Sequence, residues 1–218
     1  MEKAFFITFE GVDGTGKSTQ ARLLKERLVQ AKIPVVLTRE PGGTRLAEKI
    51  RSLLLNEEGL NISPVTEILL YAAARAQHVE EVIRPALESQ KVVICERFTD
   101  STLAYQGYAG GNDLEQICQI DRFASGGLVP DLTFLLDLTP RTGWARIQER
   151  MAQGQQDRIE ARGSAFQAKV REGYLRLAAA APDRICLINS DGLGIDEVHR
   201  LIWGTFYGRY HSLLGNSG

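Results

Sequence analysis

One segment of the sequence has the residue types and the spacing of a phosphate-binding loop. Residues 11–18 read Gly-Val-Asp-Gly-Thr-Gly-Lys-Ser, which matches the pattern G-x-x-x-x-G-K-[ST]. The glycines let the backbone curl so that successive N–H groups point at phosphate oxygens. Lys17 then reaches the β- and γ-phosphates, and the Ser18 hydroxyl ligates Mg²⁺. The helix predicted to start near Lys17 adds its N-terminal dipole, so the segment predicts a nucleoside triphosphate site.

Further charged residues with phosphate chemistry follow two other apolar runs of the chain. Arg39 comes at the end of the second run, and Glu96 and Arg97 at the end of the third. Arginine offers a forked, permanently charged donor that suits a doubly charged phosphate better than lysine does. A carboxylate at a strand end, such as Glu96, can hold Mg²⁺ through water. A second phosphate site beside the loop is therefore expected.

The elements that must position these residues alternate between strand and helix. Five short apolar runs are nearly continuous in apolar residues, as in strands buried on both faces of a parallel sheet. These runs are 4–10, 35–39, 92–96, 132–137 and 184–189. Segments with helical spacing lie between or after them: 17–31, 44–55, 65–89, 113–125, 140–153, 166–181 and 195–210.

This alternation predicts an α/β fold, namely a three-layer, doubly wound, five-stranded parallel sheet with a P-loop. No repeat or low-complexity linker divides the chain, so residues 1–218 are predicted to form one domain. Ligands of such sheets bind beyond the carboxyl ends of the strands. The phosphate loop, Arg39 and Arg97 all follow strand ends, as that rule requires.

Composition excludes several classes of protein. The formal net charge is −1, so no overall positive field would attract nucleic acid. The three cysteines are far apart and odd in number, which argues against zinc and against a disulfide framework. No run approaches the ~20 apolar residues of a membrane span. We therefore expect a cytoplasmic protein that binds neither membrane nor nucleic acid.

The phosphate loop alone does not choose between GTPases, motor or transporter ATPases and small-molecule kinases. A GTPase should carry an N-K-x-D motif, and no such tetrapeptide occurs in the sequence. Transporter and helicase ATPases usually need longer domains and further motifs. An arginine- and glutamine-rich segment at about 146–162 suits a mobile basic lid that excludes water during phosphoryl transfer. A compact kinase is the class that remains.

Six motifs make the chain resemble the thymidylate kinases, a group of P-loop nucleoside monophosphate kinases. They are FEGVDG (9–14), TREPGGT (38–44), YAAARAQH (71–78), ERF (96–98), AYQG (104–107) and DRIE (157–160). The resemblance implies transfer of the γ-phosphate of ATP to dTMP, giving dTDP and ADP, in dTTP biosynthesis. It also implies Mg²⁺ as cofactor and a homodimer, with the apolar-rich segment 65–89 as a possible interface.

The resemblance assigns site residues in four groups. ATP would be bound by Gly11, Val12, Asp13, Gly14, Thr15, Gly16, Lys17, Ser18 and Thr19. The residues assigned to dTMP are Asp13, Arg39, Arg51, Tyr71, Arg75, Arg97, Ser101, Thr102, Tyr105 and Gln106. Ser18 and Glu96 would hold the metal. The residues assigned to catalysis are Lys17, Arg97, Arg150 and Arg146.

Some of these positions carry a more specific expectation. Asp13 would contact the sugar 3′-hydroxyl or help to hold magnesium, and Tyr105 would pack against C2′ and disfavour ribonucleotides. Tyr71 would stack on the pyrimidine, where the family usually has Phe. Glu96 stands where the family commonly has Asp, so its longer side chain must retract slightly.

Some thymidylate kinases carry the catalytic arginine in the P-loop and others carry it in the lid. The P-loop position after Gly14 is Thr15, so the chain resembles the bacterial type with lid arginines. Either Arg150 or Arg146 would supply the charge, and the sequence does not rank them.

Two other functions are compatible with the phosphate loop. A deoxynucleoside kinase would need a general base for a neutral hydroxyl and fewer arginines around its acceptor, so Arg39 and Arg97 argue against it. A regulatory or assembly protein that uses ATP as a switch would bind ATP without turning over dTMP.

Overall fold

Five parallel strands form the sheet predicted from the sequence. The computed structural model describes residues 4–55, 60–139, 142, 143, 145, 146, 148, 158, 159 and 162–210. The strand order is β2-β3-β1-β4-β5, and every neighbouring pair is parallel. Their bounds are β1 Phe6–Glu10, β2 Val35–Arg39, β3 Val92–Glu96, β4 Leu132–Asp137 and β5 Ile185–Asn189.

Helices flank this sheet along the described residues. Their bounds are α1 Lys17–Gln30, α2 Arg45–Leu55, α3 Pro64–His78, α4 Arg84–Glu88, α5 Thr99–Thr102, α6 Leu114–Ala124, α7 Ser164–Ala180 and α8 Ile195–Tyr210. Two π-helical turns, Val79–Ile83 and Leu103–Ala109, extend α3 and α5. Among the described helices, none combines the length and the apolar character needed to cross a membrane.

The two faces of the sheet bury separate clusters. Alternate residues of a strand point to opposite faces, so Ile7 and Phe9 pack with α1 and α8. Phe6 points the other way and packs with the helical turns around Val79 and Ile83. On this second face, α7 and the Leu103–Ala109 turn cover β4 and β5. The predicted three-layer fold is therefore confirmed.

Backbone hydrogen bonds connect the segments that follow the carboxyl ends of β1, β2 and β3. The backbone N–H of Glu40 donates to the Glu96 carbonyl at 2.8 Å, and that of Arg97 donates to the Phe9 carbonyl at 2.9 Å. The segments that leave β1, β2 and β3 thus start side by side.

The helices differ from the sequence-based prediction in two places. The segment 65–89 is helical as predicted, but it contains the Val79–Ile83 π-turn ahead of Pro85. Proline has no N–H, so the hydrogen bond that residue 85 would make to the preceding turn is missing there. The helical run from Thr99 to Ala109 was not predicted. The predicted helix at 140–153 lies mostly outside the described residues.

Candidate active site

The phosphate loop follows β1 directly, and its first glycine is required by packing. Gly11 has φ of 135°, and a Cβ atom at this position would lie 2.3 Å from the Leu136 carbonyl oxygen. Gly14 and Gly16 also have positive φ, which glycine adopts without strain. Helix α1 begins at Lys17, so the loop curls around the N-terminus of that helix.

Lys17 lies buried within the loop. Its Nζ donates to the Gly11 carbonyl at 3.0 Å and to the Val12 carbonyl at 2.8 Å. Burial, together with the nearby positive charge of Arg97, lowers the pKa of Lys17 to about 7. A polyphosphate in the loop would bring the negative charge that favours the protonated amine.

Ser18 and Glu96 place two oxygen ligands beside the loop, where a hard cation would be held. The Ser18 hydroxyl donates to Glu96 Oε2 at 2.5 Å. Mg²⁺ is usually held by one or two protein oxygens together with phosphate and water, so this donor set fits it. Within the described part of the chain, no cluster of three or more His, Cys, Asp or Glu residues forms a dedicated metal cage. Both predicted metal ligands therefore lie together.

Arg97 connects the phosphate loop with the adjoining cleft. Its Nη1 donates to the Gly11 carbonyl at 3.2 Å, and its Nη2 donates to Asp13 Oδ1 at 2.6 Å and to the Tyr105 hydroxyl at 3.0 Å. Arg97 has φ of 66°, a left-handed conformation that is uncommon for arginine. Such a backbone persists only where its surroundings enforce it.

The buried carboxyl group of Glu10 supplies part of that enforcement. Glu10 Oε1 accepts the Phe98 N–H at 2.7 Å, and Oε2 accepts the hydroxyls of Ser101 at 2.6 Å and Tyr174 at 2.7 Å. Tyr174 in turn receives a hydrogen bond from Arg97 Nη1. Burial, with the negative charge of Asp100, raises the pKa of Glu10 to about 7. Glu10 thus fixes both the backbone after Arg97 and the groups around its guanidinium.

A cleft that is partly open to solvent adjoins Asp13 and Arg97. It brings together every predicted dTMP-binding residue except Arg39. Its lining is Asp13, Glu40, Pro41, Arg51, Leu55, Tyr71, Arg75, Arg97, Phe98, Ser101, Thr102, Tyr105, Gln106 and Ile159. Aromatic side chains and several converging charged and polar groups in one cleft suit a small polar molecule.

The two arginines predicted to face the acceptor phosphate are placed differently. Arg51 lines the cleft, where its Nη1 donates to the Pro41 carbonyl at 2.9 Å. The Arg39 guanidinium is half exposed and donates to both oxygens of Glu48 at 3.0 Å. Arg39 therefore stands outside the lining, and its role at the acceptor phosphate stays a prediction.

Arg75 is held rigidly at the inner end of the cleft. It is 2% exposed, and its Nε donates to Glu40 Oε2 at 2.9 Å. Its Nη1 donates to Asp121, and its Nη2 donates to Thr102 Oγ1 at 3.0 Å. His78, one turn further along α3, also contacts Glu40, so the two residues share a helix face as predicted.

The structure describes only a few residues of the segment 146–162, which was predicted to be a lid. Arg146 Nη1 donates to the Gly14 carbonyl at 3.1 Å, which brings this predicted catalytic residue to the phosphate loop. Arg150 lies outside the described residues. Arg158 and Arg162, which the sequence placed in the basic lid, both donate to the buried carboxylate of Glu67 on α3.

Sequence reasoning missed the buried acceptors that hold these cationic groups in place. Each of these acceptors is a buried carboxylate or hydroxyl that lies far along the chain from the group it holds. They are Glu10, Glu40, Glu67, Asp121 and Tyr174. Glu10 had a signal, because it is the one charged residue in the otherwise buried β1 run. The others lie in helical segments or in the loop after β2, where a charged residue or a tyrosine does not by itself indicate a buried contact.

A parallel sheet with a phosphate loop after its central strand, next to an arginine-lined cleft, defines a P-loop kinase that acts on nucleotides. A family model described as thymidylate kinase matches residues 9–202. The chain therefore belongs to the thymidylate kinase family, as the six motifs predicted.

Individual relatives agree with this assignment. The thymidylate kinase of Pelotomaculum thermopropionicum is 54% identical over 190 residues, covering 86% of each chain. That of Geobacter sp. (strain M21) is 49% identical over 217 residues, covering 98% of this chain and 96% of the relative. The crystal structure of thymidylate kinase from Ehrlichia chaffeensis superimposes with a TM-score of 0.76 at 36% identity, covering 94% of this chain and 99% of that one.

Proposed function

We propose that this chain transfers the γ-phosphate of ATP to dTMP, producing dTDP and ADP. The observation that carries the proposal is the position of Arg97, whose guanidinium contacts the phosphate loop at Gly11 and the cleft at Asp13 and Tyr105. A cation at that junction lies between a donor phosphate in the loop and an acceptor phosphate in the cleft.

The reaction needs alignment and charge neutralisation rather than a general base. The second pKa of a phosphate monoester is about 6, so the acceptor oxygen is already anionic at pH 7. Lys17 would neutralise the transferring group from the loop side, and Arg97 from the cleft side. A lid arginine, Arg146 or Arg150, would complete the charge. The contact of Arg146 with Gly14 supports the first of these.

Ser18 and Glu96 would hold Mg²⁺. The ion would neutralise negative charge on the phosphates and orient them for in-line transfer. Glu96 meets Ser18 directly, so it must turn away from the hydroxyl when the ion is bound. Mg²⁺ is therefore the proposed cofactor.

The cleft offers a separate contact for each part of the acceptor. Arg51 would meet the phosphate, and the ring of Tyr71 would stack on the base. Tyr105 would pack against the sugar, since its hydroxyl is held by Asp13 and Arg97. The base edge would meet Arg75 and Gln106.

We infer in addition that the protein is a cytoplasmic homodimer, with ATP and dTMP as its small-molecule partners. Three apolar side chains on α3 and α6 are exposed in the isolated chain, and Phe123 is the most exposed of them at 91%. The other two are Val65 and Leu69. Burial against a second copy would remove this apolar surface from water.

The experiment that tests the function measures ADP release from ATP and Mg²⁺ with dTMP, dUMP, dCMP, dGMP or thymidine as acceptor. We expect turnover with dTMP, weaker turnover with dUMP, and none with thymidine. The 5-methyl group adds only about 0.8 kcal/mol of burial, so discrimination against dUMP should be modest. Turnover with thymidine but not dTMP would indicate a deoxynucleoside kinase. ATP binding without turnover of any acceptor would indicate a switch protein.

When ATP binds at pH 8, the protein is expected to take up most of one proton. Burial holds the pKa of Lys17 at about 7 in the free protein, so the amine is largely neutral at pH 8. Bound polyphosphate raises that pKa, and the amine takes a proton from solution. Calorimetry with Mg-ATP in buffers of different ionisation enthalpy measures the uptake. In Lys17→Arg the uptake should disappear, because guanidinium does not titrate in this range; equal uptake in both proteins would contradict the assignment.

A further inference from the structure

The carboxamide of Gln106 is held in a defined orientation at the base end of the cleft. Gln106 lines the cleft, and only 3% of the residue is exposed. Its nitrogen, Nε2, donates to Glu67 Oε1 at 2.9 Å. A carboxamide has a donor on one side and an acceptor on the other, so its oxygen Oε1 is turned away from Glu67.

Glu67 can act toward Gln106 only as an acceptor. Its carboxylate is 3% exposed, and two guanidinium groups already donate to its other oxygen, Oε2. These are Arg158 Nη2 at 2.5 Å and Arg162 Nη2 at 2.6 Å. A carboxylate has only acceptors to offer. The reversed carboxamide, with its oxygen against Glu67, would therefore place two acceptors against each other.

Arg75 supplies the complementary half of this pattern. Arginine has only donors, and the guanidinium is anchored on Glu40, Asp121 and Thr102, so it cannot present an acceptor to the cleft. With Gln106 oriented by Glu67, the inner end of the cleft offers a donor from Arg75 and an acceptor from Gln106.

We propose that Glu67 is a positioning residue that selects the base of the acceptor nucleotide by fixing the Gln106 carboxamide with its oxygen toward the cleft. This inference rests on the proposed function. Thymine presents an acceptor at O4 and a donor at N3–H, which match the donor and acceptor of the cleft. Cytosine presents an amino donor at C4 and an acceptor at N3. It would therefore place a donor against the Arg75 donor and an acceptor against the Gln106 acceptor. Glu67 acts through Gln106 and does not itself touch the base.

The substitution Glu67→Gln changes the orientation without changing the shape of the side chain. The two guanidinium groups would hold the oxygen of the new carboxamide and turn its NH₂ group toward Gln106. The Gln106 carboxamide then reverses, and its NH₂ group faces the cleft. That NH₂ group would donate to the N3 atom of cytosine and would oppose the N3–H of thymine.

The test compares kcat/KM for dTMP and dCMP in the wild type and in Glu67→Gln. We expect the dTMP-to-dCMP ratio to fall about tenfold, with KM for dTMP rising and kcat changing less. A merely structural role would lower both values together and leave the ratio unchanged. The matched control is Arg162→Gln, which removes one cation from the same carboxylate but leaves the Gln106 contact. Its ratio should stay at the wild-type value.

If Glu67→Gln does not fold, Glu67→Asp retains the charge for both arginines and withdraws the carboxylate from Gln106. Its ratio should fall in the same direction. A wild-type enzyme that phosphorylates dTMP, with an unchanged ratio in the Glu67 variant that folds, would overturn the positioning role alone. A wild-type enzyme that does not phosphorylate dTMP would overturn the proposed function.

Discussion

Replacement of Arg97 by alanine is expected to lower kcat/KM for dTMP by about 10²–10³-fold. The guanidinium lies between the phosphate loop and the cleft, where charge develops during transfer. Removing one preorganised hydrogen-bond donor from such a position typically lowers the rate by this factor. Because the interaction strengthens in the transition state, most of the effect should appear in kcat. Steady-state kinetics with saturating Mg-ATP measure it.

Two further variants serve as controls for the Arg97→Ala result. Arg97→Lys keeps a charge but loses the fork that reaches Gly11, Asp13 and Tyr105 together, so it should recover only part of the activity. Arg22→Ala removes an exposed arginine of α1, which forms an ion pair with Glu26, and should leave the kinetics unchanged. Near-wild-type activity in a folded Arg97→Ala protein would exclude Arg97 from the transfer step.

Replacement of Arg75 by methionine is expected to lower the free energy of unfolding by about 3–5 kcal/mol. The change leaves two carboxylates, Glu40 and Asp121, buried without their cation, and breaking a buried pair from one side has a cost of this order. Urea unfolding followed by circular dichroism measures the loss. A decrease below about 1 kcal/mol would mean that the cluster relaxes or admits water.

The pH dependence of that loss gives a second, independent measurement. Burial raises the pKa of Asp121 to about 6 even with Arg75 present. Without Arg75 the charged form is still less favourable, so the pKa rises further and the carboxyl is protonated at mildly acidic pH. The destabilisation should therefore be smaller at pH 5.5 than at pH 8. The control Arg176→Met, in an exposed pair on α7, should change stability by no more than about 0.5 kcal/mol at either pH.

Local pattern was sufficient to predict the sheet and the phosphate loop. The bounds of β2, β3 and β4 agree with the predicted runs residue for residue, because each strand is marked by its own apolar residues. β3 and β4 are almost wholly buried, whereas β2 lies at the edge of the sheet and is only partly buried. The phosphate loop was equally local, since eight consecutive residues contain its glycines, its lysine and its hydroxyl.

The contacts that orient the site could not be predicted in the same way. Arg158 falls in the segment that was predicted to be a basic lid, and its guanidinium contacts Glu67, 91 positions away in the chain. Glu10 and Tyr174 are 164 positions apart and share a hydrogen bond. No spacing rule relates such residues, because the sheet order and the helix packing bring them together. The sequence therefore identified most of the cleft lining but not the groups that fix its geometry.

The position of β1 in the middle of the sheet also affects how the protein is made. This strand precedes the other four in the chain, yet its neighbours on either side are β3 and β4, and Thr8 meets Thr133 across 125 positions. One side of this apolar strand therefore stays unpaired in the nascent chain until β4, which begins at Leu132, has been synthesised. Pairing over such separations is slow and leaves strand edges exposed to other chains.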